Sequence, residues 1–410
     1  MKSNDLIELL NYCKNNIPFY MDKLKGIDLD RENLGEVFLS LPLINKKDIR
    51  NNYYDFIDIN LDRGKMNKIF DLDGVKFQKD YSFDIGGKRI IAEYTSGTTG
   101  TPFVALKTSQ ERLTLGRTLW KSRNMYGNTN PKQMFNFIHN SDGKEMFPFE
   151  KEYTMEHKVK EMKYLADSNY KWWHIYPSML YSYSQCVLDK NILFPNLVGI
   201  ECNGAYISEK EMQSYYKIFG CKLYNNYGCR EVWNIAYGGM NGVLYENPNI
   251  IIELVDDNGK VITENNKKGY LVVTSLKLKT MPFIRYYLGD LACYIEGHDN
   301  KRGIRVFPGR HMISNTSIYG NQFFREVVID LMTVFNMKKL REVYIQEVEE
   351  GNFNVNFAGC GENRLEIEKS FKKCLKFYRN RVNSDNWKFN FTYNDGVKSK
   401  SLFVSTIKKG

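Results

Sequence analysis

The chain contains no Cys-x-x-Cys pair, and its eight cysteines (Cys13, Cys186, Cys202, Cys221, Cys229, Cys293, Cys360 and Cys374) are scattered along 410 residues. Its five histidines show no His-Glu-x-x-His or comparable ligand spacing. These absences argue against structural zinc and point to reduced, buried thiols. No apolar stretch approaches the roughly 20 residues that span a bilayer. The opening segment MKSNDLIELLNYCKNN carries Asp5 and Glu8 where an export signal needs an apolar run, so a cytoplasmic location without a membrane partner is expected. No basic run interleaved with aromatics marks a nucleic-acid module, and nucleic acid is not expected as a partner. The net charge of +10 suits nucleic acid, an acidic carrier protein or a polyphosphate ligand alike, and by itself separates none of them.

What is present is ample material for folding. Hydrophobic residues make up 42% and aromatics 14% of the chain, enough for a packed interior, and 410 residues exceed one ordinary core. Residues 1–60 read as helical. "KRIIAEY" and "FVALK" read as strands on either side of a polar loop, and Thr108 with Glu111 predicts a capping box opening a helix through about Arg123. A second box, Ser208 with Glu211, opens a helix ending at Gly220. Helices and β segments alternating over 60–230 argue for a mixed α/β core. "IIIELVDDNGKVI" predicts a hairpin over Asp-Asn-Gly, and 249–295 reads as a β-rich subdomain. Beyond Arg310 a hairpin in "EVYIQEVEEGNFNVNFAG", a helix capped by Asn363 and a strand in "WKFNFTY" suggest a separate unit.

The polar loop is the most unusual stretch. From Thr95 to Pro102 every residue is Thr, Ser, Gly or Pro, so none can serve an apolar core. Backbone N–H groups in such a loop can approach an anion without Cβ interference, and hydroxyls add donors. A polar surface turn is the alternative. A kinase-type P-loop is excluded, because "SGTTGTPF" has no lysine after its last glycine.

Further segments follow in a set order: "NNYGCREVW", "FIRYYLGDLA", "FPGRH" and "DGVKSKSLFVS". With "TSGTTGTP" they resemble the motifs of the adenylate-forming superfamily, which includes acyl- and aryl-CoA synthetases and peptide-synthetase adenylation domains. The resemblance covers roughly residues 35–405. "LPLINKKDIR", "HIYPSMLYSYSQ", "MPFIRYYLGD" and "GRHMISNTSIYGNQFF" look most like the phenylacetate–CoA ligase-like and capsular-polysaccharide-type branch, where Phe103 in place of a lysine is an expected substitution.

The resemblance implies an α/β fold. A large N-terminal domain of mixed β-sheets packed with helices, plus a β-rich subdomain, would span 1–309. A small mobile α+β C-terminal domain would span 310–410 and carry the catalytic lysine. It implies an ATP- and Mg²⁺-dependent ligase that converts a carboxylic acid to acyl-AMP and passes the acyl group to a thiol, CoA foremost, with an amine or a carrier protein as alternative acceptors. A nucleotide-binding protein without turnover is the alternative of another class. Oligomeric state stays open between monomer and homodimer.

Roles carry over by position. Thr95, Ser96, Gly97, Thr98, Thr99 and Gly100 would wrap the β- and γ-phosphates. Glu231 would hold Mg²⁺. Tyr227, with Asn226 and Gly228 beside it, would stack on adenine, and Gly204 and Ala205 would line the same pocket. Asp290 would accept from the ribose hydroxyls, and Arg310 would contact ribose or phosphate. Lys398 would bridge the carboxylate and the α-phosphate, with Lys400 as the alternative. His139 lies near where the family builds its acyl pocket, though a core or surface role is the ordinary reading. The chain departs from the pattern at Arg230 and Leu288, each in place of threonine, and at His311 and Met312, in place of an acidic pair. Arg230 could bind the α-phosphate with more charge than threonine or point away. The loss of the acidic pair bears on how the second half-reaction proceeds.

Overall fold

A computed structural model describes residues 2–62, 64, 81–95, 103–137, 155–204, 206–297, 301–310, 342–349, 351–358, 364–378, 387–394 and 403–407. The chain divides into two compact units, one of Met1–Pro131, Tyr224–Leu288 and Ala292–Val306, the other of Lys132–Leu223, Gly289–Leu291 and Phe307–Gly410.

The first unit opens with helices α1 (Lys2–Asn16), α2 (Pro18–Lys23), α3 (Leu34–Ser40) and α4 (Lys46–Asn51). Helix α1 buries Leu6, Leu9, Leu10 and Cys13, the spacing that puts one stripe of a helix inward. Helix α4 starts on a capping box in which Asn45 accepts from the Lys47 and Asp48 N–H groups, so Lys46 occupies its first turn. Strands β1 (Tyr81–Ile85), β2 (Lys88–Thr95) and β3 (Phe103–Thr108) form a three-stranded antiparallel sheet. Thr95 pairs with Phe103, so β2 and β3 are the two arms flanking the Thr/Gly loop. Helix α5 (Ser109–Asn124) begins on the expected Thr108/Glu111 capping box.

The second unit continues with β4 (Met134–Asn136), α6 (Met155–Asp167), β5 (Trp172–Ile175), α7 (Pro177–Lys190), β6 (Gly199–Asn203) and α8 (Glu209–Phe219). Strands β4, β5 and β6 run parallel, and all four residues of β5 are buried, as expected of parallel strands covered on both faces. Helix α8 starts on the Ser208/Glu211 box and stops at Gly220 with φ +69°.

From Tyr224 the chain returns to the first unit, Gly289–Leu291 and the residues from Phe307 onward excepted, with β7 (Lys222–Cys229), β8 (Trp233–Gly238), β9 (Leu244–Glu246), β10 (Ile250–Val255), β11 (Val261–Ile262), β12 (Lys268–Ser275), β13 (Tyr286–Glu296) and β14 (Arg302–Arg310). They line up as β11-β10-β12-β13-β14-β9-β8-β7. The Asp-Asn-Gly hairpin is there as β10 and β11. Past it lie β15 (Glu342–Glu349), β16 (Asn352–Ala358), α9 (Arg364–Tyr378), β17 (Lys388–Asn394) and β18 (Phe403–Ile407). These strands make a four-stranded sheet in the order β17-β16-β15-β18. Helix α9 buries Ile367, Phe371 and Leu375, and Phe371 packs on Phe357, Phe389 and Phe391. The fold is mixed α/β, as the sequence leads one to expect. Asn363, the expected cap of α9, lies outside the described residues.

Among the described residues, Cys13, Cys186, Cys202, Cys221 and Cys293 are buried free thiols and Cys229 is half-buried. Burial pushes the Cys221 thiol up to about 12 and Cys202 well above its ordinary value. The five buried thiols are inert core residues. No helix among the described residues is long and apolar enough to cross a membrane.

Candidate active site

Strands β7 and β8 pair antiparallel with a bulge between Tyr227 and Gly228. Gly228 is required there, because a Cβ would stand 2.0 Å from the Trp233 carbonyl oxygen. The connection between the strands carries Arg230, Glu231 and Val232. Glu231 therefore sits in a tight β-turn and not at a helix start, where the dipole would have accounted for a carboxylate.

Glu231 is buried, 4% exposed. Its Oε1 lies 3.1 Å from Lys46 Nζ and accepts a hydrogen bond from the Tyr286 hydroxyl at 3.1 Å. Burial pushes the carboxyl upward, but the Lys46 charge together with hydrogen bonds from the Glu231 backbone, Lys46 and Cys229 outweighs it, and the net displacement is downward. The group is an anion at neutral pH.

The strand arms flanking the Thr/Gly loop each carry one charged residue inward. Glu93 on β2 and Lys107 on β3 are both fully buried, with Lys107 Nζ 2.7 Å from Glu93 Oε2. Lys107 Nζ also donates to the Arg230 carbonyl oxygen at 2.8 Å. Trp233 Nε1 donates to Glu93 Oε2 at 2.9 Å, and Arg112 Nε on α5 stands 3.0 Å from Glu93 Oε1. Trp233 has φ +64°, a conformation that costs a bulky residue about 1–3 kcal/mol and persists only where the surroundings impose it.

Behind the turn, a ladder of asparagines ties the strands together. Asn234 Nδ2 donates to Asn226 Oδ1 at 2.7 Å, and Asn247 Nδ2 donates to Asn234 Oδ1 at 2.9 Å. Tyr227 is half-buried and Arg230 is exposed. The structure thus brings Asn226, Tyr227, Gly228, Arg230 and Glu231 into one hairpin.

Gly204 belongs to the second unit, with φ +75° and the Tyr176 ring so close that a Cβ would stand 2.6 Å from it. Both facts demand glycine. Asp290, on β13, is half-buried. Ser96, Gly97, Thr98, Thr99, Gly100, Ala205, His139, His311, Met312, Lys398 and Lys400 lie outside the described residues, as do the side chains of Thr95 and Arg310.

Lys46, Glu93, Lys107 and Tyr286 were not among the candidates from sequence. Glu93 and Lys107 did leave a signal, since each is a charge beside apolar strand residues, in IIAEY and FVALK. Lys46 and Tyr286 left none, because their partner is remote in the chain.

No group of three or more His, Cys, Asp or Glu residues that could hold a metal occurs among the described residues. Glu231 offers one buried carboxylate whose charge is already met by an ammonium. A Mg²⁺ ion held there would draw its remaining ligands from phosphate oxygens and water, since the described residues offer no all-protein cage.

No family model matches the chain, and no curated protein matches it. Solved structures do. A 2-hydroxyisobutyryl-CoA ligase in its postadenylation state with R3-HIB-AMP superposes at TM-score 0.67 and 13% identity, covering 98% of this chain and 88% of that one. The same ligase with 2-HIB-AMP and CoA in the thioesterification state gives TM-score 0.56 at 15% identity over 99% and 89%. An anthranilate CoA ligase in complex with anthranoyl-AMP gives 0.52 at 12% identity over 76% and 64%. The chain shares its fold with these ligases.

Proposed function

We propose that this chain is an AMP-forming acid–thiol ligase of the phenylacetate–CoA ligase-like kind. It activates an aryl or aliphatic carboxylic acid as acyl-AMP, releases pyrophosphate and passes the acyl group to CoA. The observation that carries this reading is the buried, ionised Glu231 in a turn tied to both arms of the Thr/Gly loop, on a fold shared with ligases solved in complex with acyl-AMP. ATP and Mg²⁺ are the proposed cofactors, the protein is placed in the cytoplasm, and its partners are small molecules.

In the first half-reaction a carboxylate oxygen of the acid forms a bond to the α-phosphorus of ATP, and the bond to pyrophosphate breaks. Negative charge spreads over phosphoryl oxygens, so positioning and electrostatic stabilisation do most of the catalysis. Backbone N–H groups and hydroxyls of Thr95–Gly100 hold the β- and γ-phosphates. Glu231 would hold Mg²⁺, which when bound would neutralise phosphate charge. Lys46, whose ammonium lies beside Glu231, adds a second positive charge at the carboxylate. Tyr227 stacks on adenine, Gly204 and Ala205 line the adenine pocket, Asp290 accepts from ribose and Arg310 contacts ribose or phosphate. Lys398 bridges the two reacting groups from a C-terminal domain of 310–410, with 1–309 as the large domain. In the second half-reaction the thiol sulfur attacks the acyl carbonyl, and AMP leaves.

His311 and Met312 stand where the family carries an acidic hinge pair, and this favours an amine or carrier-protein thiol as the second reading for the acceptor. ATP–pyrophosphate exchange across a panel of aryl and aliphatic acids tests the first half-reaction. Repeating it with CoA and with amines tests the acceptor. ATP binding without exchange for any acid would leave a nucleotide-binding protein without turnover.

A further inference from the structure

We infer that Lys107 is a positioning residue that sets the Glu231 turn against the two strands flanking the Thr/Gly loop. This rests on the reading of that loop and Glu231 as a nucleotide site.

The buried pair Glu93–Lys107 is poorly explained by stability. Two fully buried charges lose their hydration, and apolar residues of the same volume are often as good or better in such places. What an apolar pair cannot do is form the two outward bonds seen here. Lys107 Nζ donates to the carbonyl of Arg230, the residue next to Glu231. Glu93 Oε2 accepts from the indole N–H of Trp233, two residues beyond Glu231. The turn is gripped on both sides of its carboxylate by one ion pair.

The pair belongs to the arms of the loop. Glu93 precedes Thr95 by two positions on β2, and Lys107 follows Phe103 on β3. The same network reaches the first turn of α5 through Arg112. Trp233 is fixed in a left-handed backbone conformation, with Gly228 packed against its carbonyl. A displaced Lys107 therefore releases the Arg230 carbonyl, and the turn carrying Glu231 loses its reference to the phosphate loop.

The test is ATP binding by calorimetry over a series of Mg²⁺ concentrations, with the full chain. Lys107→Met is expected to raise the Mg²⁺ needed for half-maximal ATP binding about tenfold or more, the size seen when groups orienting a metal ligand are removed. In a Glu231→Gln background the same substitution is expected to change nothing further, because Lys107 acts through that carboxylate. A general structural role would instead give additive losses. Trp233→Phe, which removes the indole N–H that Glu93 accepts together with part of the ring, is expected to shift the Mg²⁺ requirement in the same direction. If Lys107→Met does not fold, Glu93→Gln with Lys107→Met removes both fully buried charges, leaves only the partly exposed Arg112 without its carboxylate, and is expected to show the same shift. An unchanged Mg²⁺ requirement in the folded variants, or additivity with Glu231→Gln, overturns the inference while the nucleotide reading stands. Absence of ATP binding by the wild type at every Mg²⁺ concentration refutes that reading, and this inference with it.

Discussion

Lys46 Nζ lies 3.1 Å from Glu231 Oε1, joining the first turn of α4 to the β7–β8 turn across most of the first unit's sequence. The carboxylate is almost wholly buried and the ammonium partly so, with side-chain exposures of 5% and 29%. Removing one partner of such a pair leaves an uncompensated buried charge. Lys46→Met is expected to lower stability by about 3–5 kcal/mol in urea denaturation. Adding Glu231→Gln is expected to restore much of it, because the charge that needed a partner is then gone.

The pair also sets a pH dependence. The Glu231 carboxyl is held below its ordinary value of 4.5 in the folded chain. Its contribution is therefore present above the unfolded value and lost as pH falls through the folded one. The wild type is expected to lose stability below that ordinary value more steeply than Glu231→Gln does. Chemical denaturation at a series of pH values between neutrality and the acid limb checks this, and parallel curves would sink it.

Glu111 does more than complete a capping box. Its Oε2 accepts from the Thr108 N–H at 2.7 Å, while Oε1 accepts from the N–H groups of Lys279 and Thr280 at 2.7 and 2.9 Å. Thr108→Ala removes one cap and is expected to cost about 1 kcal/mol. Glu111→Ala also strands the two remote donors and is expected to cost about 2–3 kcal/mol. Equal losses in urea denaturation would show that the remote bonds carry no weight.

At Gly204 two independent constraints meet: a φ of +75° and a Tyr176 ring 2.6 Å from where a Cβ would lie. Gly204→Ala is expected to lower stability by about 2 kcal/mol from the backbone alone, with displacement of the ring added to it. Adding Tyr176→Ala relieves the ring and leaves the backbone strain, so only part of the loss is expected to return. Thermal melting of the single and double variants separates the two contributions. Full recovery in the double variant would show that only the ring mattered.

What could be read in advance follows from how local each cause is. The boxes at Thr108/Glu111 and Ser208/Glu211 bind within three residues, and both helices start where those pairs place them. The Asp-Asn-Gly hairpin and the strands on either side of the Thr/Gly loop are equally local. The site was legible only where its residues lie in one short stretch, as Asn226–Glu231 do. Lys46 reaches Glu231, and Lys107 reaches the Arg230 carbonyl, through tertiary folding. Neither spacing nor periodicity encodes such a contact. The buried ladder of Asn226, Asn234 and Asn247 likewise depends on strand register.

The C-terminal lysine carries the most exacting test of the proposed chemistry. In the proposed reading, Lys398 of DGVKSKSLFVS takes the place of the catalytic lysine and Lys400 the basic position that follows it. A lysine that bridges the attacking carboxylate and the α-phosphate acts in adenylation alone. Lys398→Ala is therefore expected to abolish pyrophosphate exchange while thioester formation from supplied acyl-AMP stays largely intact. The assay is a pair of measurements on one protein sample, exchange with ATP and acid against CoA ester formation from synthetic acyl-AMP. Loss of both would mean that Lys398 supports the fold or the acceptor step. If Lys400→Ala instead shows the selective loss, the bridging ammonium lies two residues further along, and the alignment of the tail shifts with it.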